Sequence, residues 1–232
     1  MSTERRRAWT VLTVLVMGAA LLRAQSPGSN ISGSAAGVVV DETGKPIPEA
    51  TVFALPEMEM TKEIRAQADE FGRFHLTGLP PGEVFVDAFK ESAGYPYCFF
   101  SFFKTPNAKT PVKVKIVPGG LVSNVVLEIG PKAAYLEFSI TDENDAAMKG
   151  TLLFDRADIP GPYQRSVESG EKVMVPAVPF QLTFQANGYL PWHYSKVTQA
   201  IPGNSIDLKP GESMKVFIHP RRSASQAVLP DK

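Results

Sequence analysis

The sequence predicts an all-β chain built from two tandem antiparallel β-sandwiches, and three observations carry that prediction. Short apolar runs alternate with clusters of Gly, Pro, Asn and Asp at roughly ten-residue spacing. After residue 33 no stretch sustains a helical period over three turns. A set of short motifs in the first half returns, in the same order, in the second.

The elements follow in chain order. AAGVVVDETGKPI at 35–47 is a strand closed by a turn at Thr43-Gly44, and ATVFAL and TKEIRAQA supply two more strands. The stretch DEFGRFHLTGLPPGEVFVDA at 69–88 reads as turn, strand, turn, strand. Its Gly residues accept positive φ, and its Pro pair cannot continue a hydrogen-bonded ladder, so both stop strands at set lengths. In RFHLT, Phe74 and Leu76 share one face, and in EVFVDAF the two-residue period puts Val84, Val86 and Ala88 inward. In the second half, FQLTFQANGY at 180–189 sends Phe180, Leu182, Phe184 and Ala186 one way and Gln181, Thr183, Gln185 and Asn187 the other. That is a half-buried strand, and each large side chain buried is worth about 1.5–3 kcal/mol toward holding its register.

The repeat is collinear. VVDE at 39–42 has a counterpart in ITDE at 140–143, ATVF at 50–53 in GTLLF at 150–154, Gly94-Tyr95 in Gly188-Tyr189, and Pro118-Gly119 in Pro210-Gly211. The boundary falls near Gly130-Pro131, which sets domains at 34–129 and 131–222 and leaves 223–232 as a disordered tail.

The N-terminus is a separate matter. Arg5, Arg6 and Arg7 precede an uncharged run at 8–22 and a small residue, Ala24. This pattern predicts a secretory signal peptide over 1–24, cleavage before Gln25, a flexible leader at 25–33 and an extracytoplasmic protein, secreted or periplasmic. The alternative is a membrane tether by an uncleaved N-terminal segment, but a run of about 15 residues is shorter than the roughly 20 that span a bilayer. No later stretch is long enough to span. Losing residues 1–24 removes four Arg and one Glu, leaving 20 basic and 23 acidic side chains and a net charge of −3, so a nucleic-acid partner has no electrostatic basis. Cys98 is the only cysteine, so no internal disulfide forms, and its expected role is that of a small buried hydrophobe.

GVVVDETGKPIPEATV at 37–52, DEFGRF at 69–74, LPPG at 79–82 and AGY at 93–95 together resemble the carboxypeptidase regulatory-like domain, over residues 34–129. The resemblance implies a seven-stranded, transthyretin-like Greek-key sandwich of Ig-like build. It also implies an accessory module of the kind that accompanies peptidases, outer-membrane receptors and polysaccharide-active enzymes as spacer, folding aid or binding platform. Two features depart from the family pattern: Glu49 stands where the family usually has Gly, and an aromatic insert follows Tyr95. The second half is only faintly similar, with Glu168-Ser169-Gly170 and Val175-Pro176-Ala177 in place of the Asp-x-x-Gly turn and the Pro-Pro-Gly.

No catalytic constellation is predicted, and no cofactor or metal. His75, His193 and His219 lack ligand spacing. TDEND at 141–145 offers carboxylates, but Ala146 occupies the position of a third oxygen ligand in a calcium loop. A G-x-S-x-G elbow is absent. The transthyretin-like fold includes ureide-ring hydrolases, whose terminal Tyr-Arg-Gly-Ser is replaced here by FIHPRRSAS.

Two aromatic clusters remain. YPYCFFSFFK at 95–104 and YLPWHY at 189–194 each follow the Gly-Tyr of their repeat. Tyr97, Phe100, Phe102, Tyr189, Trp192 and Tyr194 are the candidate binding surface. As a strand, the first cluster would send Phe99 and Phe103 to one side and Phe100 and Phe102 to the other. One core receives only one set, so at least two rings are expected to be accessible at an edge of the first sandwich. The predicted function is a secreted, non-catalytic binding or interaction module whose partner is a protein or polysaccharide at the cell surface. The alternatives are a carbohydrate-binding module that uses both aromatic clusters, and a structural spacer in a cell-surface assembly.

Overall fold

Short side-chain bonds close the predicted turns. Asp41 Oδ1 accepts the backbone N–H groups of Thr43 (2.9 Å) and Lys45 (3.0 Å), and Asp69 Oδ1 accepts those of Phe71 and Arg73, both at 2.8 Å. Gly72 ends the second of these turns at φ 75°, and a Cβ there would sit 2.9 Å from the Val39 carbonyl oxygen. The repeat is visible in the same bonds: Asp142 Oδ1 accepts the N–H groups of Asn144 and Ala146, both at 2.9 Å.

The computed structural model describes residues 31–99, 101–198 and 201–223. The predicted signal peptide, most of the leader, Phe100 and all but the first residue of the tail lie outside the described residues.

The first half holds β1 (Gly33–Val40), β2 (Thr51–Pro56), β3 (Ile64–Gln67), β4 (Arg73–Leu79), β5 (Gly82–Phe89), β6 (Val112–Ile116) and β7 (Leu121–Glu128). They form two sheets, ordered β4-β1-β7 and β3-β2-β5-β6. The second half holds β8 (Ala134–Ile140), β9 (Lys149–Asp155), β10 (Tyr163–Glu168), β11 (Lys172–Val175), β12 (Phe180–Gln185), β13 (Trp192–His193), β14 (Lys196–Thr198), β15 (Ile201–Gly203), β16 (Ser205–Ile206) and β17 (Ser213–Ile218). Its sheets are β11-β8-β17 and β10-β9-β12-β13, with β16 also on β12 and β14 paired with β15. Among the described residues there is no α-helix, only a 3-10 turn at Glu91–Ala93, and no helix long and apolar enough to cross a membrane.

The two halves share one topology. β1 lies between β4 and β7 as β8 lies between β11 and β17, and β3-β2-β5 corresponds to β10-β9-β12. The all-antiparallel expectation needs one correction in each half, because β1 runs parallel to β7 and β8 parallel to β17. The paired strands open and close their repeat, so the chain between them crosses both sheets and has ample length for a parallel return. The first half has the seven expected strands, and the second has additional short ones between β12 and β17.

Inward side chains fill a core in each half. Ala35, Val39, Val52, Leu76, Val84, Val86, Val125 and Leu127 belong to the first; Leu136, Phe138, Leu152, Phe154, Leu182, Phe184 and Val216 belong to the second. At Gly37 the β1–β7 register shifts, and a Cβ would lie 1.8 Å from the Val125 carbonyl oxygen, so only glycine admits so close a strand. The described residues from Ile31 onward form one compact unit, and the aromatic insert makes one of the contacts between the halves.

Candidate functional site

The pleat explains where the insert goes. Val84, Val86 and Ala88 of β5 point into the first core, so Phe85, Asp87 and Phe89 point outward. On β2, Val52 and Ala54 point inward while Phe53 and Leu55 point outward. The β2–β5 sheet is therefore apolar on both faces. The unbroken apolar run VFAL is the sequence sign of such a strand.

Tyr97 and Phe99 cover that outer face. Tyr97 stacks on Phe53 at 4.8 Å and meets Phe89 edge-on at 5.5 Å; Phe99 lies 6.0 Å from Phe53 and from Phe85. The segment is a chain of turns and not the expected strand: Ser101 N–H donates to the Cys98 carbonyl, Lys104 N–H to the Ser101 carbonyl, and Ser101 Oγ–H to the Tyr97 carbonyl. Strand alternation consequently does not govern its rings.

Phe102 leaves the first half altogether. It is 5% exposed within the second core, stacked on Tyr163 at 4.8 Å with planes 8° apart, and 5.4 Å from Phe154. Arg156, 1% exposed, holds it from the other side: Nη1 donates to the Phe102 carbonyl, and the guanidinium sits 5.8 Å from its ring. Asp158 accepts Nε at 2.9 Å and Nη2 at 2.6 Å, and this pairing holds the Asp158 carboxyl below the usual range. As a binding-surface residue Phe102 is thus corrected, because the second core has a place for its ring. Of the other rings, Phe99 and Tyr95 are buried, and Tyr97 and Phe103 are half-buried.

Under the insert lie Asp87, which the sequence pattern does not mark out, and Cys98, expected as a small buried hydrophobe. Asp87 would be an ordinary surface carboxylate on the outer sheet face, but the insert leaves it 1% exposed. Oδ1 accepts the Ala88 N–H at 2.7 Å, and Oδ2 has no hydrogen-bond partner. Burial pushes its pKa up to about 6, with the Thr110 hydroxyl, the Ala88 N–H and Lys104 pulling the other way. Cys98 is half-buried, its Sγ 3.2 Å from the Pro96 carbonyl; burial and then the Asp87 charge push its thiol up to about 12, which makes it a poor nucleophile.

The second cluster is arranged differently. Trp192 and Tyr194 are half-buried against the end of the second core, Trp192 opposite Phe184 in the β12–β13 pair. Tyr189 is half-buried, with Arg222 over its ring at 5.8 Å and its hydroxyl donating to Glu143 Oε2 at 3.5 Å; Arg222 also pairs with Glu143. Residues 190–195, Asn204 and residues 219–221 line an open cleft of about 510 Å³. His219 Nδ1 lies 2.8 Å from the Thr141 hydroxyl, and His193 Nδ1 lies 3.0 Å from that of Thr183. Arg221 contributes the formal charge of this lining.

Residues 34–96 match the carboxypeptidase regulatory-like domain. The matched stretch ends at Pro96, where the aromatic insert begins. No curated protein sequence matches the chain. Among solved structures, the Streptococcal ancillary pilin is 15% identical over 84% of this chain and 64% of its own, with a TM-score of 0.39. The Bacillus anthracis TIE protein is 16% identical over 83% of this chain and 35% of its own, with a TM-score of 0.33. A minor pilin of Streptococcus agalactiae is 11% identical over 86% of this chain and 100% of its own, with a TM-score of 0.39. The chain spans about a third of the TIE protein and under two thirds of the ancillary pilin. Likenesses of this size do not carry those proteins' roles to this one.

Proposed function

We propose that the protein is an extracytoplasmic, non-catalytic binding module of two sandwiches, 34–129 and 131–222, exported by a signal peptide over 1–24. Its recognition surface is the cleft beside Trp192 and Tyr194, and its partner is a protein or polysaccharide at the cell surface. The observation that carries this reading is the half-exposed pair of aromatic rings lining a cleft of about 510 Å³, within the size range of small-ligand sites. The regulatory-like domain match supports the non-catalytic part.

A glycan array probed with the mature chain tests it together with Trp192→Ala. Saturable binding to a glycan, lost in the variant while its unfolding midpoint is nearly kept, supports the carbohydrate version. Retention of a cell-surface protein partner, lost in the same variant, supports the protein version. Binding indifferent to Trp192 removes the cleft. A structural-spacer reading is favoured by the Phe102 and Arg156 contact, which joins the sandwiches.

A further inference from the structure

Among the described residues two buried side-chain oxygens have no hydrogen-bond partner, Asp87 Oδ2 under the insert and Thr105 Oγ1 in the segment that follows it. Buried polar groups are normally hydrogen-bonded, and an ionised carboxylate with an open oxygen is the costlier of the two to keep from water. Asp87 lies one residue beyond the last β5–β6 pair, Val86 with Val112, at the point where residues 101–110 return to the sheet. The same residues carry Phe102 into the second core. One carboxyl therefore sits beneath the segment that joins the two halves.

We propose that Asp87 and residues 101–110 form a proton-operated latch: the neutral carboxyl keeps the segment seated with Phe102 in the second core, and the carboxylate loosens both. The groups that act on Asp87 are Lys104 and the Thr110 hydroxyl, and its charge is felt by Tyr97 and Cys98. Glu63 and Arg65 also act on Tyr97, and Arg156 acts on Cys98. Lys104 is the cation that acts on Asp87; it is solvent-exposed and makes no ion pair with it. Opening the segment lets water reach Oδ2, so ionisation and opening favour each other.

Cys98, the only cysteine, is the reporter, since its Sγ contacts the Pro96 and Phe103 carbonyls inside the insert. The mature chain and Asp87→Asn are modified with dithiodipyridine from pH 4 to 8, and the ratio of their rates is taken at each pH so that the pH dependence of the reagent divides out. The latch predicts a ratio that climbs from about pH 4, levels off above about pH 6, and gains up to about a hundredfold, the equivalent of a shift of about two pKa units. Charge repulsion in a segment that stays shut slows the wild type instead, so a ratio that falls with pH overturns the proposal, as does a flat one. Lys104→Gln compared with wild type carries the test if Asp87→Asn does not fold. Loss of this cation moves the levelling point to higher pH, and an unmoved point in both thiol modification and amide exchange of residues 101–110 overturns the latch.

Discussion

Tyr97, Phe99 and Phe102 follow Gly94-Tyr95 as Trp192 and Tyr194 follow Gly188-Tyr189, yet the first set is taken up inside the molecule and the second lines a cleft. Two physical differences separate them. The outer face of the β2–β5 sheet carries Phe53, Leu55, Phe85 and Phe89, whereas its counterpart on β12 carries Gln181, Thr183 and Gln185. Rings can bury themselves on the first face and gain nothing on the second. The chain after Tyr95 also runs to Val112 before it rejoins a sheet, long enough to fold back and reach the other core, while Trp192 enters β13 almost at once. Similar aromatic composition thus produces glue in one repeat and an open surface in the other.

The sharpest way to break this comparison is Phe102→Ala. Removal of a core phenylalanine is expected to cost about 3–5 kcal/mol, and denaturant unfolding should register it, whereas Trp192→Ala at its half-exposed site should cost less. The reverse order would mean that the second cluster is the structural one.

Asp87 sets the next effect. Its folded pKa is raised, so the folded state binds more protons than the unfolded one between about pH 4 and pH 6, and stability falls as pH rises through that window. The loss is on the order of 2–3 kcal/mol, constant above about pH 6. Urea midpoints measured at pH 4 and 7.5 should differ in the wild type and converge in Asp87→Asn.

Arg156→Met keeps a packed stem but leaves the Phe102 carbonyl without its donor, an expected loss of about 1–3 kcal/mol in thermal or denaturant unfolding. An unchanged midpoint would mean that the Arg156 bond to the Phe102 carbonyl adds nothing to the joint beyond the packing of the Phe102 ring. The smallest effect is expected at Glu49, which sits at φ 52° where the related domains usually carry Gly. Its ion pair with Lys90 at 3.3 Å is exposed on the Glu side and worth little. Glu49→Gly should therefore stabilise the first half by up to about 1 kcal/mol, read by calorimetry, with no effect on the second cluster.

Much of the fold was legible in advance because it depends on local rules. The Asp41, Asp69 and Asp142 turns, the alternation in FQLTFQ and the ordered repeat each follow from turn chemistry and the two-residue period, and each is found where the sequence places it. The parallel strands β7 and β17 were not legible, since strand direction depends on which distant segment fills an edge. Of the candidate surface, Trp192 and Tyr194 line a cleft, Tyr189 is half-buried under Arg222, and Phe102 is buried in the second core.

By itself the sequence determined the period, the stops and the repeat, because a strand's pleat and a turn's dihedrals are set by neighbours a few residues apart. Only the tertiary structure decided what the aromatic insert is for. Whether Phe102 faces water or a core depends on Phe154, Tyr163 and Arg156 more than fifty residues away, and whether Asp87 is a surface charge or a buried one depends on the segment laid over it. Burial is a property of the assembled neighbours, and no local pattern in YPYCFFSFFK or EVFVDAF contains them.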